Sequence, residues 1–409
     1  MKKSQKSIKS NMSNDIADYR DDMSRAPKEN PYSAEHPVHP SKFAGRQEQL
    51  REFADFMQDT LAGNSKNICV LGEWGIGKTS LLRKMKEIAE TNGCIVALIE
   101  LDETLDSYAS VLETITANLA KEAKNRKGLP AKIGEALENL TLSVNYGPVG
   151  IAGPRNKAER PNIVRFEEDI ESIHGKLKIP MLIMLDNVES IINIKGALFS
   201  LRNVFQKLQS MGGVRCMLVL AGRETLFRDI RSVSEPVARF FWGVSLKPFS
   251  LADTKEAIEK PLAGTNIVFE SKVIDKIHAV SGGHPFFIQV FAYTLFKHRT
   301  SNCITMRDYD AQYHGVMKYL GFRLFQSLYL LLSDREKRVV NAIAGHDGNT
   351  FTNQQISRLI NVKSLNMHLK NLSEKTPQIL VREGRGEYRM FHPLFKEYLR
   401  TLQKTWRGG

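Results

Sequence analysis

Apolar positions along this 409-residue chain follow two rhythms. From about residue 66 to residue 250, short unbroken apolar runs alternate with amphipathic segments of helix length. The runs are "NICVLG", "CIVALIELD", "IPMLIMLDN", "GVRCMLVLAGR" and "RFFWGVSLKPF". Rich in leucine and β-branched residues, they predict strands of a parallel sheet buried on both faces. "FAGRQEQLREFADFM" predicts a helix ahead of the first strand. After Ser250 the strand runs stop. The helical patterns "LADTKEAIEKPL", "SKVIDKIHAV", "PFFIQVFAYTLFKH" and "MRDYDAQYHGVM" then predict a helical domain over 251–330.

A third unit opens near Leu332. In "SDRE" the hydroxyl of Ser333 and the carboxylate of Glu336 have the spacing of a capping box. Helices are predicted over 333–344, 353–360 and 363–375. "QILVREGRGEYRMFHP" then reads as two short strands around Gly384-Arg385-Gly386, before a last helix in "LFKEYLRTL". That order predicts a winged helix-turn-helix over 331–409. At the other end, residues 1–40 are polar and punctuated by Pro27, Pro31, Pro37 and Pro40, which predicts a flexible arm. Residues 129–160 interrupt the sheet region. Their alternating, glycine- and proline-rich "LTLSVNYGPVGIAGPRN" suits a plain surface insertion or a mobile loop touching DNA or a neighbouring subunit.

Composition and charge narrow the classes. Hydrophobic residues make up 42% and charged residues 25%, as in ordinary soluble domains. No apolar run approaches the roughly 18–20 residues that cross a bilayer, and the N-terminus has no apolar signal core. Cys69, Cys94, Cys216 and Cys303 are widely spaced, which argues against a disulfide framework or a zinc site and for a cytoplasmic protein. The net charge is +13. Residues 333–409 hold 14 Lys and Arg against 7 Asp and Glu, so about half the excess sits in the last fifth of the chain.

The strongest chemical signal follows the first strand. Gly72-Glu73-Trp74-Gly75-Ile76-Gly77-Lys78-Thr79 fits G-x-x-x-x-G-K-[ST] in full, and Ser80 continues into a helix. Glycines let backbone amides curl around phosphates, Lys78 reaches the β- and γ-oxygens, and Thr79 ligates Mg²⁺. The strand "MLIMLD" supplies Asp186 as the second magnesium partner. Asn187 stands where many ATPases place the water-activating glutamate. Glu189 reaches that role only if the loop bends back; otherwise it is a polar loop residue, with Glu100 and Asp102 as remote substitutes. These residues predict firm binding of ATP with Mg²⁺ and weak turnover. Arg223, at the end of the next strand, is placed to sense a γ-phosphate. Arg46 is expected on the adenine side, and Pro285 opens a helix after "SGGH".

The FxGR opening, the phosphate loop, "LDNVE", the strand ending in Gly-Arg, "LKPFSLADTKEA" and "GGHP" together resemble the STAND class of P-loop ATPases. Those are relatives of AAA+ proteins and of archaeal replication-initiator ATPases. The resemblance spans about residues 40–320 and extends to a C-terminal winged helix. It implies an α/β fold, a P-loop NTPase with parallel sheet over 41–250, followed by a helical lid and the winged helix. It also implies that Pro285 contacts the nucleotide from the lid, and that an ATP/ADP switch drives homo-oligomeric assembly in the ATP state. His284, beside Pro285, is expected to cap or pack. Asn187 departs from the Asp-Glu pair of most AAA+ enzymes, and Arg228, Arg231 and Arg239 are equally eligible as an arginine finger. Two partners remain open. Duplex DNA would meet Lys363, Asn366, His368 and Lys370 of the third helix and Arg382, Arg385 and Arg389 of the wing. An effector protein would instead make this a signalling or scaffold ATPase, with the winged helix as its autoinhibitory or protein-binding module. No membrane partner is expected.

Overall fold

The computed structural model describes residues 30–125, 162–210, 213–233, 235–375 and 378–407. The segment 129–160, read above as an insertion, lies outside them. The chain divides into two compact units, Pro37–Pro248 and the remainder, which joins the chain up to His36 to Phe249 and beyond.

In the first unit, β1 (Asn67–Leu71), β2 (Ile95–Glu100), β3 (Met181–Asp186), β4 (Cys216–Gly222) and β5 (Phe241–Ser245) are the five runs expected. All neighbours are parallel, in the order β2-β3-β4-β1-β5. The helices are α1 (Gln47–Leu61), α2 (Lys78–Thr91), α3 (Tyr108–Lys124), α4 (Asn162–Leu177), α5 (Ala197–Ser210), α6 (Leu226–Val233) and α7 (Glu235–Arg239). Strand residues alternate between two cores. Ile68, Val70, Leu182, Met184, Val219 and Ala221 face Phe53 and Met57 of α1 and Leu82 and Met85 of α2. Cys69, Ile183, Leu185, Leu218 and Leu220 face α3, α4 and α5. Burial on both faces explains why the runs are continuous rather than alternating. Cys69, Cys94 and Cys216 are core residues, and burial pushes the Cys216 thiol up to about 12.

The second unit contains α8 (Leu251–Glu259), α9 (Ser271–Ser281), α10 (Pro285–Lys297), α11 (Met306–Leu320), α12 (Gln326–Leu330), α13 (Asp334–Gly345), α14 (Asn353–Leu359), α15 (Leu365–Glu374) and α16 (Pro393–Arg407). A π-helical stretch, Gly321–Phe325, joins α11 to α12. Strands do not stop at residue 250. β6 (Val268–Phe269) and β7 (Cys303–Ile304) form a two-residue parallel pair too short to stand out as apolar runs. β8 (Thr350–Thr352), also unexpected, pairs with β10 (Glu387–Met390), which pairs in turn with β9 (Leu380–Gly384). The capping box at Ser333 and Glu336 is present.

Two sequence-based boundaries are corrected. No core boundary separates 251–330 from 331–409: one cluster runs from Ile258 through Phe287 and Phe325 to Phe395 and Leu399. The flexible-arm reading also fails from residue 30 onward. Tyr32 is buried, donates to the Ile258 carbonyl at 2.6 Å and packs edge-on against Phe269 and Phe296.

Candidate nucleotide site

The phosphate-loop residues sit where β1 meets α2. Gly72 N–H donates to the Gly222 carbonyl (3.2 Å), so the loop leaves the sheet beside the end of β4. Gly75 and Gly77 have φ of 74° and 100°, in the left-handed region that side chains disfavour. Ile76 is buried as the loop's anchor, whereas Trp74 is 54% exposed. Lys78 Nζ donates to the carbonyls of Gly72 (2.9 Å) and Glu73 (3.0 Å). Its ammonium is therefore held at the mouth of its own loop. Burial pulls the Lys78 pKa down, opposed by the charges of Glu189, Asp186 and Glu73.

Thr79 Oγ1 donates to Asp186 Oδ2 at 2.5 Å. Two residues 107 positions apart thus meet at adjoining ends of the sheet, with Asp186 2% exposed. Beyond Asp186 the chain turns at once. Asn187 has φ 58°, a conformation asparagine tolerates, and Val188–Ser190 form a 3₁₀ turn. The turn brings Glu189 back, which is the condition its role requires. A Cβ on Gly222 would lie 2.7 Å from Glu189 Oε2, so only glycine leaves room for this carboxylate at the end of β4. Glu189 Oε2 is buried and has no hydrogen-bond partner among the described residues. Asn187 Nδ2 instead donates to Glu100 Oε1 at 3.4 Å, across the β2–β3 edge.

Arg223 follows β4 directly and is half-buried, at the same sheet end as Lys78, Asp186 and Glu189. Arg46 makes contacts that the sequence does not suggest. It is buried, with its guanidinium donating to the carbonyls of Lys247 (2.5 Å) and Ile76 (3.1 Å). It therefore ties the loop to the segment that follows β5. Ser80 Oγ accepts the Val38 amide at 3.1 Å. Neither tie has a sequence signal, because each partner is a main-chain group. Pro285 opens α10 as expected, in the other unit. His284 stands at the N-cap position of the helix and packs against Phe287. Arg231 and Arg239 both pair with Glu235.

In the terminal part Lys363, Asn366 and Lys370 are exposed, as are Arg382 and Arg385. Three details differ from expectation. The helix begins at Leu365 rather than residue 363, because Ser364 takes φ 58°. His368 is buried and turns inward, so it offers nothing to a groove. Arg389 is engaged: it pairs with Glu383 and donates to the Met390 (3.2 Å) and Phe391 (3.1 Å) carbonyls, bracing the hairpin.

Comparison with known proteins agrees with this geometry. Residues 42–219 match the model of the AAA ATPase domain. An uncharacterized HTH-type transcriptional regulator of Methanocaldococcus jannaschii is 23% identical over 380 aligned residues, covering 88% of this chain and 90% of the relative. The Walker-type ATPase of Pyrococcus abyssi superposes with a TM-score of 0.56 at 17% identity, covering 88% of this chain and 96% of that one. The ORC2 protein of Aeropyrum pernix, solved as ADPNP–ADP complexes, gives 0.60 at 13% identity, covering 92% and 98%. Residues 42–219 are therefore similar to an AAA ATPase domain, and the fold is shared with the Walker-type ATPase of Pyrococcus abyssi and the ORC2 protein of Aeropyrum pernix.

Proposed function

We propose that the chain is an ATP-binding, slowly hydrolysing switch whose basic terminal part binds duplex DNA. The observation that carries the nucleotide half is the 2.5 Å contact of Thr79 with Asp186, beside a Lys78 ammonium held on loop carbonyls. Thr79 and Asp186 fit Mg²⁺, since both present oxygens at one point. Glycines at positive φ fit a phosphate, since no side chain intrudes on the loop amides. Bound there, the ion would neutralise charge on the transferring phosphoryl group.

This chain's own residues supply the rest. Lys78 exchanges two carbonyl acceptors for β- and γ-oxygens, and the amides of 75–80 bind and orient the phosphates. Arg223 extends toward the γ-phosphate. Glu189, the only carboxylate the 3₁₀ turn returns to this sheet end, takes the proton of an attacking water. Its unpartnered oxygen leaves an acceptor open for that proton. STAND-type switching, assembly of several copies in the ATP state and slow turnover complete the reading.

The DNA half rests on the terminal fold and its charge. Helix, strand, two helices and a β-hairpin follow in the order of a winged helix-turn-helix. Exposed Asn366 and Lys370 on its third helix, with Lys363 just ahead of that helix, face a groove, and Arg382 and Arg385 on the hairpin meet phosphates. Affinity for random duplex, measured at 50 and 200 mM salt with and without ATP, tests this. Three to five phosphate contacts predict a fall of roughly 40- to 500-fold. Arg385→Glu is expected to lower the affinity and the salt slope together, and Lys78→Ala to abolish the ATP dependence alone. A flat salt response would discard the DNA reading. The second reading, a signalling ATPase gripping a protein, is favoured by Leu359 and Met367. They are more than half exposed on the helices meant for DNA.

A further inference from the structure

The chain passes between its two units twice, at His36–Pro37 and at Pro248–Phe249. Both passages carry a proline, whose ring locks φ and removes one soft dihedral from the passage. Each passage is fastened on both of its sides.

Before the first, Asn30 Nδ2 donates to the Tyr293 carbonyl (2.9 Å), Tyr32 is sunk beside Ile258, and Glu35 pairs with Arg323. After it, the Val38 amide donates to Ser80 Oγ, one residue beyond Thr79 in the phosphate-loop helix. Glu35 and Val38 are three residues apart, roughly 10 Å of chain at full stretch. Before the second passage, Arg46 joins the Lys247 carbonyl to that of Ile76, inside the phosphate loop. After it, the Phe249 amide donates to the Gly283 carbonyl at 2.8 Å, two residues ahead of Pro285. A Cβ on Gly283 would lie 2.2 Å from the Phe249 carbonyl oxygen, and its φ is 73°. This position therefore requires glycine.

We propose that Ser80 and Arg46 are positioning residues that carry the state of the phosphate loop to the two passages between the units. This rests on the nucleotide-switch reading and names how that site is coupled to the second unit. A phosphate entering the loop draws the Lys78 ammonium off the carbonyls of Gly72 and Glu73 and recruits the amides around Ile76 and Gly77. Ile76 O and Ser80 Oγ shift with the loop. The Lys247 carbonyl follows through the rigid, bidentate guanidinium of Arg46, and Val38 through its bond to Ser80. Each pull ends on a proline joined to a segment fastened in the second unit. Two independent ties to one loop let a small local change bias how both passages are held, provided the ligand favours one arrangement.

Hydrogen–deuterium exchange of the full chain, with and without saturating ADPNP and Mg²⁺, tests this, with calorimetry reporting binding. The wild type is expected to slow exchange roughly tenfold at residues 30–41 and at 244–252. Ser80→Ala should lose the response at 30–41 alone, and Ser80→Thr, which keeps the acceptor oxygen, should restore it. Arg46→Lys keeps the charge but cannot span two carbonyls, and should lose the response at 244–252 alone. General loosening of the fold would not produce this crossed pattern. If ADPNP binds and neither passage responds, or if both variants alter both passages alike, the inference is wrong while the nucleotide reading stands. If ADPNP does not bind the wild type, the nucleotide reading falls and takes the inference with it.

Discussion

His392 shows how much one side chain fixes. Its Nε2 faces the Ser281 carbonyl at 2.9 Å, which only accepts, and its Nδ1 faces the Leu394 amide at 3.1 Å, which only donates. The ring is therefore neutral with its proton on Nε2, and it lies 3.9 Å from the Phe287 ring. Protonating Nδ1 sets one N–H against another. Burial, aided by Arg389, pushes the His392 pKa down to about 4 despite the Ser281 bond. The unfolded chain thus takes up a proton between pH 6.5 and 4 that the folded chain refuses, and stability falls as pH drops through that window. The loss is at most roughly 3 kcal/mol. Thermal unfolding of the wild type should show it, and His392→Gln should flatten the slope between those pH values. At this scale the sequence named Lys78, Thr79 and Asp186 because a spaced motif specifies them. It misjudged His368 and Arg389 because their surroundings are core packing, carbonyls and a neighbouring carboxylate, none of which leaves a pattern along the chain.

Elements were legible in proportion to their length. Strands of five to seven residues and helices of ten residues or more announce themselves by their apolar runs and periods. The strands of two or three residues, β6, β7 and β8, have no period to read. They exist because other segments bring backbone donors and acceptors to them. The last helix, α16, supplies Phe395, fully buried against Phe325 at 5.4 Å and Phe391 at 5.3 Å between ring centroids. Phe395→Ala should cost about 3–5 kcal/mol, read from denaturant unfolding followed in the second unit. A much smaller loss would mean that α16 is only loosely attached.

For the whole molecule, the consequence is a single core beneath two sequence-defined domains. Phe287 of α10, Phe325 of the π-helical stretch and Phe395 of α16 belong to one cluster with Ile258 and Val340. A chain ended after residue 330 would expose that surface, so it should aggregate or lose cooperative unfolding. Residues 37–248 keep both faces of their sheet covered by their own helices and should unfold as a unit. Calorimetry of the two fragments checks the contrast. If the chain ended at 330 melted cooperatively, the terminal part would be a separate domain after all. No described helix is long and apolar enough to cross a membrane.

The sequence by itself determined the parallel sheet, the phosphate loop and the order of helices after it. Periodicity and short motifs depend on near neighbours, so they survive in one dimension. Only the tertiary structure decided the strand order β2-β3-β4-β1-β5, the return of Glu189 beside Gly222 and the burial of Tyr32 in a unit that otherwise begins at Phe249. Those features depend on which distant surfaces meet, and on main-chain groups that every residue carries alike.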